Sequence, residues 1–272
     1  MSIIDCFMFW NEIEVLYMRL DILYEFVDYF VICESKISHS GKVTKDEYVF
    51  NKHKELFSKF SDKIIFLPFN NYCGKGDTAV NGNTEWTNEN SQRKWLFNEI
   101  KKFDSNSLIA ISDVDEIWDP KNINSIKKNL EKYEVCGVIQ KLTYYYVNCL
   151  KEQEWKGTYF IKNKNLTKEK IQTLRNNRCE LPIYIKGGWH FSWLGNKDKI
   201  IEKFQCIAEH DIIDQHATEE NIKDCLENVK DLFGRDGYYG NIKKITLDNN
   251  QFQFPLKIKE YIAKFPQIYY DK

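Results

Sequence analysis

The feature that most constrains this chain is a repeated alternation of short apolar runs with amphipathic stretches. "SIIDCFMFW" reads as a strand. "NEIEVLYMRLDILYEF" then places Ile13, Leu16, Leu20, Leu23 and Val27 at helical spacing. "DYFVICES" is a second strand ending at Glu34, followed by the polar loop "SKISHSGK" and a helical "NKHKELFSKF". "KIIFLPF" is a third strand, and the turn-rich segment from Asn70 to Thr87 reads as a long loop. A helix over "NENSQRKWLFNEIKKF" buries Leu96, Ile100 and Phe103, and "SLIAIS" is the strand that delivers Asp113. Strand, helix, strand, repeated, argues an α/β fold with a mainly parallel central sheet. In open sheets of that kind ligands sit beyond the carboxyl ends of the strands. Asn11-Glu12, Glu34-Ser35 and Asp113-Val114-Asp115 should therefore gather at one edge.

The second half is less regular. Asp119-Pro120 starts a helix, with Asp as the cap and Pro in the first turn. "VCGVIQKLTYYYVN" reads as a long strand, and "LPIYIKGGWHFSWLG" as a shorter one entering a glycine turn. "KDKIIEKFQCIAEH" and "EENIKDCLENVKDLFG" read as helices. With no repeat, low-complexity tract or flexible linker, the expectation is one domain over residues 1–240. A helical C-terminal extension, 241–272, should pack on it.

The carboxylates decide the chemistry. "DVDEIWDP" sets Asp113, Asp115, Glu116 and Asp119 directly behind an apolar run. Like charges that close cost folding energy unless something positive lies among them. Asp113 and Asp115, at i and i+2 in extended chain, point to the same side. They can share a Mn²⁺ or Mg²⁺ whose other positions go to water and phosphate oxygens. Such a metal would neutralise a departing diphosphate. A DxD pair is also a common solvated turn, and position at a buried strand end is what favours the site. Phosphatases that use a first Asp as nucleophile want a hydroxyl where this chain has Ile117. Phosphate-loop, dinucleotide-binding, GxSxG and HExxH patterns do not occur.

Other residues join as candidates. Asn90, Gln92 and Arg93 stand near a helix start, where anions are favoured, with ordinary surface polarity as the alternative. His190, within "GGWHFSW", is a third metal ligand or a diphosphate contact, or else structural, and His210 is a second candidate. Glu154 and Asp211 are candidate general bases, and Glu116 a supporting residue beside the metal. The aromatic share of 15% exceeds what a core needs, so some rings can line a groove for sugar or base.

Net charge of −1, with lysines scattered among acids, excludes a nucleic-acid footprint. The eight cysteines include no CxxC pair, which removes zinc ribbons and redox motifs and favours a reducing compartment. Apolar runs are strand-sized, so no transmembrane segment is expected, and the chain reads as cytoplasmic.

"IIDCFMFWNE", "VDYFVICES…HSGK", "WTNENSQR", "ISDVDEIWDP", "YYYVN", "GGWHFSW" and "DLFGR", in this order from Ile3 to about Arg235, resemble glycosyltransferase family 17. That is the family of the β-1,4-mannosyl-glycoprotein 4-β-N-acetylglucosaminyltransferases. The resemblance implies a GT-A type nucleotide-sugar fold, a UDP-sugar donor (UDP-GlcNAc by family precedent), inversion at the anomeric carbon, and a glycan or glycoprotein acceptor. It makes Asp113 and Asp115 the metal-binding DxD. It also sets Asn11, Glu12 and Glu34 where such domains hold the nucleoside, with Arg93 and His190 at further shared polar positions. Animal members carry a membrane anchor and this chain is expected to have none, so a bacterial or viral surface glycan is expected as acceptor rather than a bisected N-glycan. The alternatives are a metal-dependent nucleotidyltransferase and a non-catalytic glycan-binding protein on the same fold.

Overall fold

The computed structural model describes residues 1–72, 84–208, 216–235, 241–249 and 252–271. The chain opens with strand β1 (Ile3–Phe9), helix α1 (Ile13–Leu23), β2 (Tyr29–Ser35) and β3 (Ile64–Phe69). Helix α2 (Thr84–Trp95) and β4 (Leu108–Asp113) follow. These four strands are ordered β3-β2-β1-β4 and every pairing among them is parallel. Pro68, which cannot donate to a ladder, is tolerated because β3 lies at the sheet edge.

β1 is buried along its whole length, so its period-2 alternation feeds two separate cores. Phe7 and Phe9 pack with Leu16, Leu20 and Leu23 of α1 on one face. Ile4 and Cys6 pack with Leu96, Ile100 and Ile171 on the other. Helices on both faces of a parallel sheet are what near-continuous apolar strands require.

Beyond β4 the pairings are antiparallel except for that of β6 with β8, which is parallel. A three-residue β5 (Glu116–Trp118) precedes helix α3 (Ile123–Asn129), β6 (Val135–Tyr144) and β7 (Cys149–Lys162). Helix α4 (Lys168–Asn176), β8 (Tyr184–Ser192), α5 (Lys197–Cys206) and α6 (Glu219–Asn228) complete the body. The sheet order continues β4-β7-β6-β8-β5. β7, fourteen residues long, was not expected from the sequence. The glycines expected to form a turn lie inside β8 instead. Gly188, at φ +111°, lets the strand pass so close to β5 that a Cβ would sit 2.8 Å from the Trp118 Cα. α2 also begins before the expected helix start, taking in Thr84–Thr87.

The C-terminal segment joins the same body. β9 (Ile242–Lys244) pairs with β7, and α7 (Ile258–Lys264) sends the Tyr261 hydroxyl to Asp21 at 2.8 Å. Phe252, Phe254 and Ile268 enter the core beside α1. Cys6, Cys33, Cys136, Cys149, Cys206 and Cys225 are buried, and Cys179 is exposed. Among the described residues no helix is long and apolar enough to cross a membrane.

Candidate active site

The carboxyl ends of β1 and β4 open on a cleft of about 170 Å³ walled by Trp10, Glu12, His39, Asp113, Asp115 and Lys203 among others. Asn11 and Glu12 line it as expected, and the Glu12 carboxylate accepts from the Trp10 and Asn11 N–H groups at 3.1 and 3.0 Å.

The loop carrying the two aspartates is set from beneath by Arg19. This guanidinium is wholly buried and donates to the carbonyls of Asp113 (2.8 Å), Val114 (3.2 Å) and Glu116 (3.1 Å). Its other edge grips the buried Asp5 carboxylate at 2.7 and 2.8 Å, which Trp118 Nε1 also reaches at 3.2 Å. Charge buried in midsheet is thus paired, and its spare donors fix three backbone carbonyls between Asp113 and Glu116.

Above that floor the carboxylates diverge. Asp113 is clamped between two arginines. Arg93 Nη2 lies at 3.1 Å from Oδ1, and Arg175 Nη2 bonds Oδ2. Arg175 also donates to both oxygens of the fully buried Glu116 at 2.9 and 2.8 Å. Glu116 accepts from Trp155 Nε1 at 2.6 Å and from the Asp113 N–H at 2.9 Å. Gly157 is required here, because a Cβ would run into the Glu116 carboxyl group. Burial would raise the Asp113 pKa, but Arg175 and Arg93 outweigh it and hold the group well below the usual carboxylate range.

Asp115 faces the cleft. Its nearest nitrogen neighbours are His190 Nε2 at 3.5 Å and the Lys203 ammonium at 3.6 Å, beyond ordinary hydrogen-bond length. Here too burial works to raise the pKa, and His190 and Lys203 overcome it to leave the group lowered. β5 pairs Glu116 with His190 across the ladder, and Phe191 N–H bonds the Asp115 carbonyl at 2.9 Å. His190 therefore arrives at the aspartates by strand pairing. Its ring packs on Trp155 at 4.8 Å, and Nδ1 is buried with no hydrogen-bond partner.

The other expected residues fall elsewhere. Glu34 is fully buried and committed: Oε1 takes Lys45 Nζ at 2.7 Å and the Val49 N–H at 2.6 Å, and Oε2 takes the Phe50 N–H at 3.0 Å. It anchors the segment after β2 and leaves Lys45 3.7 Å over the Trp10 ring. Arg93 is buried behind Asp113, bonded to Gln172 at 2.9 Å and Glu89 at 2.8 Å. Gln92 bridges His39 (2.7 Å) and the Cys33 carbonyl (3.0 Å). Glu154 does not line the cleft. It neighbours Trp155 on β7, so its side chain projects from the opposite face, where Lys141 (3.0 Å) and Lys186 (3.1 Å) engage it. Asp211 and His210 lie outside the described residues.

Three residues were missed: Arg175, Arg19 and Lys203. Arg19 occupies a buried position of an otherwise apolar helix face, which was the one available signal. Arg175 and Lys203 sit in charged helical segments with nothing in spacing to set them apart.

The described residues contain no group of three or more His, Cys, Asp or Glu able to hold a metal. Mg²⁺ or Mn²⁺ carried with a nucleotide needs only one or two carboxylates beside the phosphates. Asp115 fits that lesser requirement, whereas both oxygens of Asp113 are already bound to arginine.

The parallel strands β3-β2-β1-β4, with charged groups gathered at their carboxyl ends, form the kind of α/β sheet edge at which ligands bind. Residues 1–245 match glycosyltransferase family 17, and the chain belongs to that family. No curated protein matches it in sequence. Similar solved structures include a 4-diphosphocytidyl-2C-methyl-D-erythritol synthase at 12% identity, covering 75% of this chain and 98% of that one with a TM-score of 0.41. S. aureus TarS residues 1–349 (12%, 96% and 77%, 0.40) and the galactosyltransferase LgtC with donor and acceptor sugar analogues (8%, 71% and 74%, 0.35) are others. Such scores are too low for any inference to rest on them.

Proposed function

We propose that the chain is an inverting glycosyltransferase that moves a sugar from a UDP-sugar, GlcNAc by family precedent, to a glycan or glycoprotein hydroxyl. The observation that carries this reading is the cleft at the ends of β1 and β4, with Asp115 facing it and family membership behind it. Asn11, Glu12 and the Trp10 ring are the described groups placed to meet a nucleoside. Glu34, with both oxygens occupied, acts through the loop it anchors. A Mn²⁺ or Mg²⁺ would be held by Asp115 and the donor diphosphate, and when bound it supplies positive charge to the leaving group.

In the transfer, an acceptor oxygen forms a bond to the anomeric carbon from the face opposite the nucleotide. The bond from that carbon to the β-phosphate oxygen breaks, and its electron pair leaves with UDP. The acceptor proton passes to a carboxylate base. Asp211 is the base we propose. Glu154 is set aside because two lysines engage it away from the cleft, and they draw its pKa down against the opposing effect of burial.

The test supplies UDP-GlcNAc, UDP-glucose and UDP-galactose with Mn²⁺ and assays the small-molecule product. Release of UDP, lost in Asp115→Asn and in Asp211→Asn, supports the reading. Release of pyrophosphate from UTP and a sugar phosphate would favour a nucleotidyltransferase. A folded protein that binds glycan and turns over neither would favour the glycan-binding alternative.

A further inference from the structure

Lys203 is the one cation among the described residues that line the cleft. It stands on α5, which starts at an Asn196 cap and buries Ile200 and Phe204 on its inner side. This fixed helix carries Lys203, Cys206 and Ile207 along the cleft wall. The ammonium lies 5.2 Å from the Trp193 ring centroid and 3.6 Å from the nearest Asp115 oxygen. That separation is too long for a firm hydrogen bond, so the ammonium donors are not taken up by the carboxylate beside them. Arg93 and Arg175 contrast with it, both Nη groups of each being bonded, to Asp113, Glu116, Glu89 and Gln172. Lys45 is likewise committed, to Glu34 and the Trp10 carbonyl.

A diphosphate entering this cleft meets the negative charge of Asp115. A metal shared with Asp115 offsets part of that repulsion, and a second positive charge is needed to make the site attractive overall. We propose that Lys203 is a phosphate-contacting residue: its ammonium, 3.6 Å from the nearest Asp115 oxygen, meets the diphosphate on donor binding and leaves that carboxylate to the metal. The proposal rests on the UDP-sugar reading above. It gives the cleft a cation that remains when the metal is removed.

The experiment is calorimetric titration with UDP and with uridine, each in Mn²⁺ and in EDTA, on wild type, Lys203→Met and Lys203→Arg, with circular dichroism to establish folding. Wild type should keep measurable UDP affinity in EDTA. Lys203→Met should weaken UDP binding by about ten- to a hundredfold, the scale of one hydrogen bond to a charged group. Uridine binding should be unchanged, and Lys203→Arg should restore most of the UDP affinity. UDP binding equal in wild type and Lys203→Met overturns the inference and leaves the donor site standing. So does a parallel loss of UDP and uridine in a folded Lys203→Met, which would make the role structural. No UDP binding by folded wild type, with or without Mn²⁺, overturns the inference together with the reading beneath it.

Discussion

Asp113 and Asp115 are two residues apart on one loop, yet they occupy opposite kinds of surroundings. Asp113 also lines the cleft, but both its oxygens are bonded to arginine, in a network where Arg93 and Arg175 answer Asp113, Glu116 and Glu89. Asp115 looks into the cleft, with His190 and Lys203 at arm's length. The difference teaches that a DxD spacing does not by itself make two equivalent ligands. One carboxylate belongs to the scaffold that shapes the loop. In the proposed reading the other is the one left for chemistry, its neighbours standing at 3.5 and 3.6 Å, beyond direct hydrogen-bond length.

The largest effect should come from breaking the scaffold side. Arg175→Ala strands Glu116, which is fully buried, and removes one of the two arginines on Asp113. Loss of one partner of a buried pair costs about 3–5 kcal/mol. A urea midpoint shift of that scale would bear out the clamp, and a shift near zero would break it.

A smaller effect sharpens the same contrast through pH. The folded pKa of Asp113 is depressed, so its contribution is fully present above the unfolded value. It is lost as pH falls from about 4 toward the folded pKa. Asp113→Asn should cost about 1–2 kcal/mol at neutral pH and flatten the acid limb of the stability curve. An unchanged limb would mean that the arginines do not hold Asp113 as described.

Near the bottom of the scale is Glu154→Gln. Its lysines, Lys141 and Lys186, are half or more exposed, so the ion pairs are worth about 0.5 kcal/mol or less. Both Tm and transferase rate should stay near wild type. A large fall in rate with an unchanged fold would return Glu154 to the list of bases.

The parallel half of the sheet was legible because strands buried on both faces must be apolar throughout, as "SIIDCFMFW" and "SLIAIS" are. The edge where Asn11, Glu12 and the aspartates meet followed from that order alone. β7 was not legible: "CLKEQEWKGTYFIK" carries four charged residues in its first eight positions, since that part of the strand is largely only part-buried. Arg175 was invisible for another reason. Its partners lie 59 and 62 residues back along the chain, and only the docking of α4 against α2 brings them together. Glu34 shows the reverse error. A carboxylate at a strand end looks like a ligand contact until the backbone donors of Val49 and Phe50 are seen to occupy it.

The most direct test is calorimetry of Mn²⁺-dependent UDP binding by Asp115→Asn beside wild type, with folding checked for each. If Asp115 is the carboxylate left for the donor, wild type binds UDP with Mn²⁺ at micromolar Kd, about −8 kcal/mol. Asp115→Asn should lose that metal-dependent binding while its Tm stays close to wild type. Equal binding by the two proteins would contradict the division between a structural Asp113 and a working Asp115.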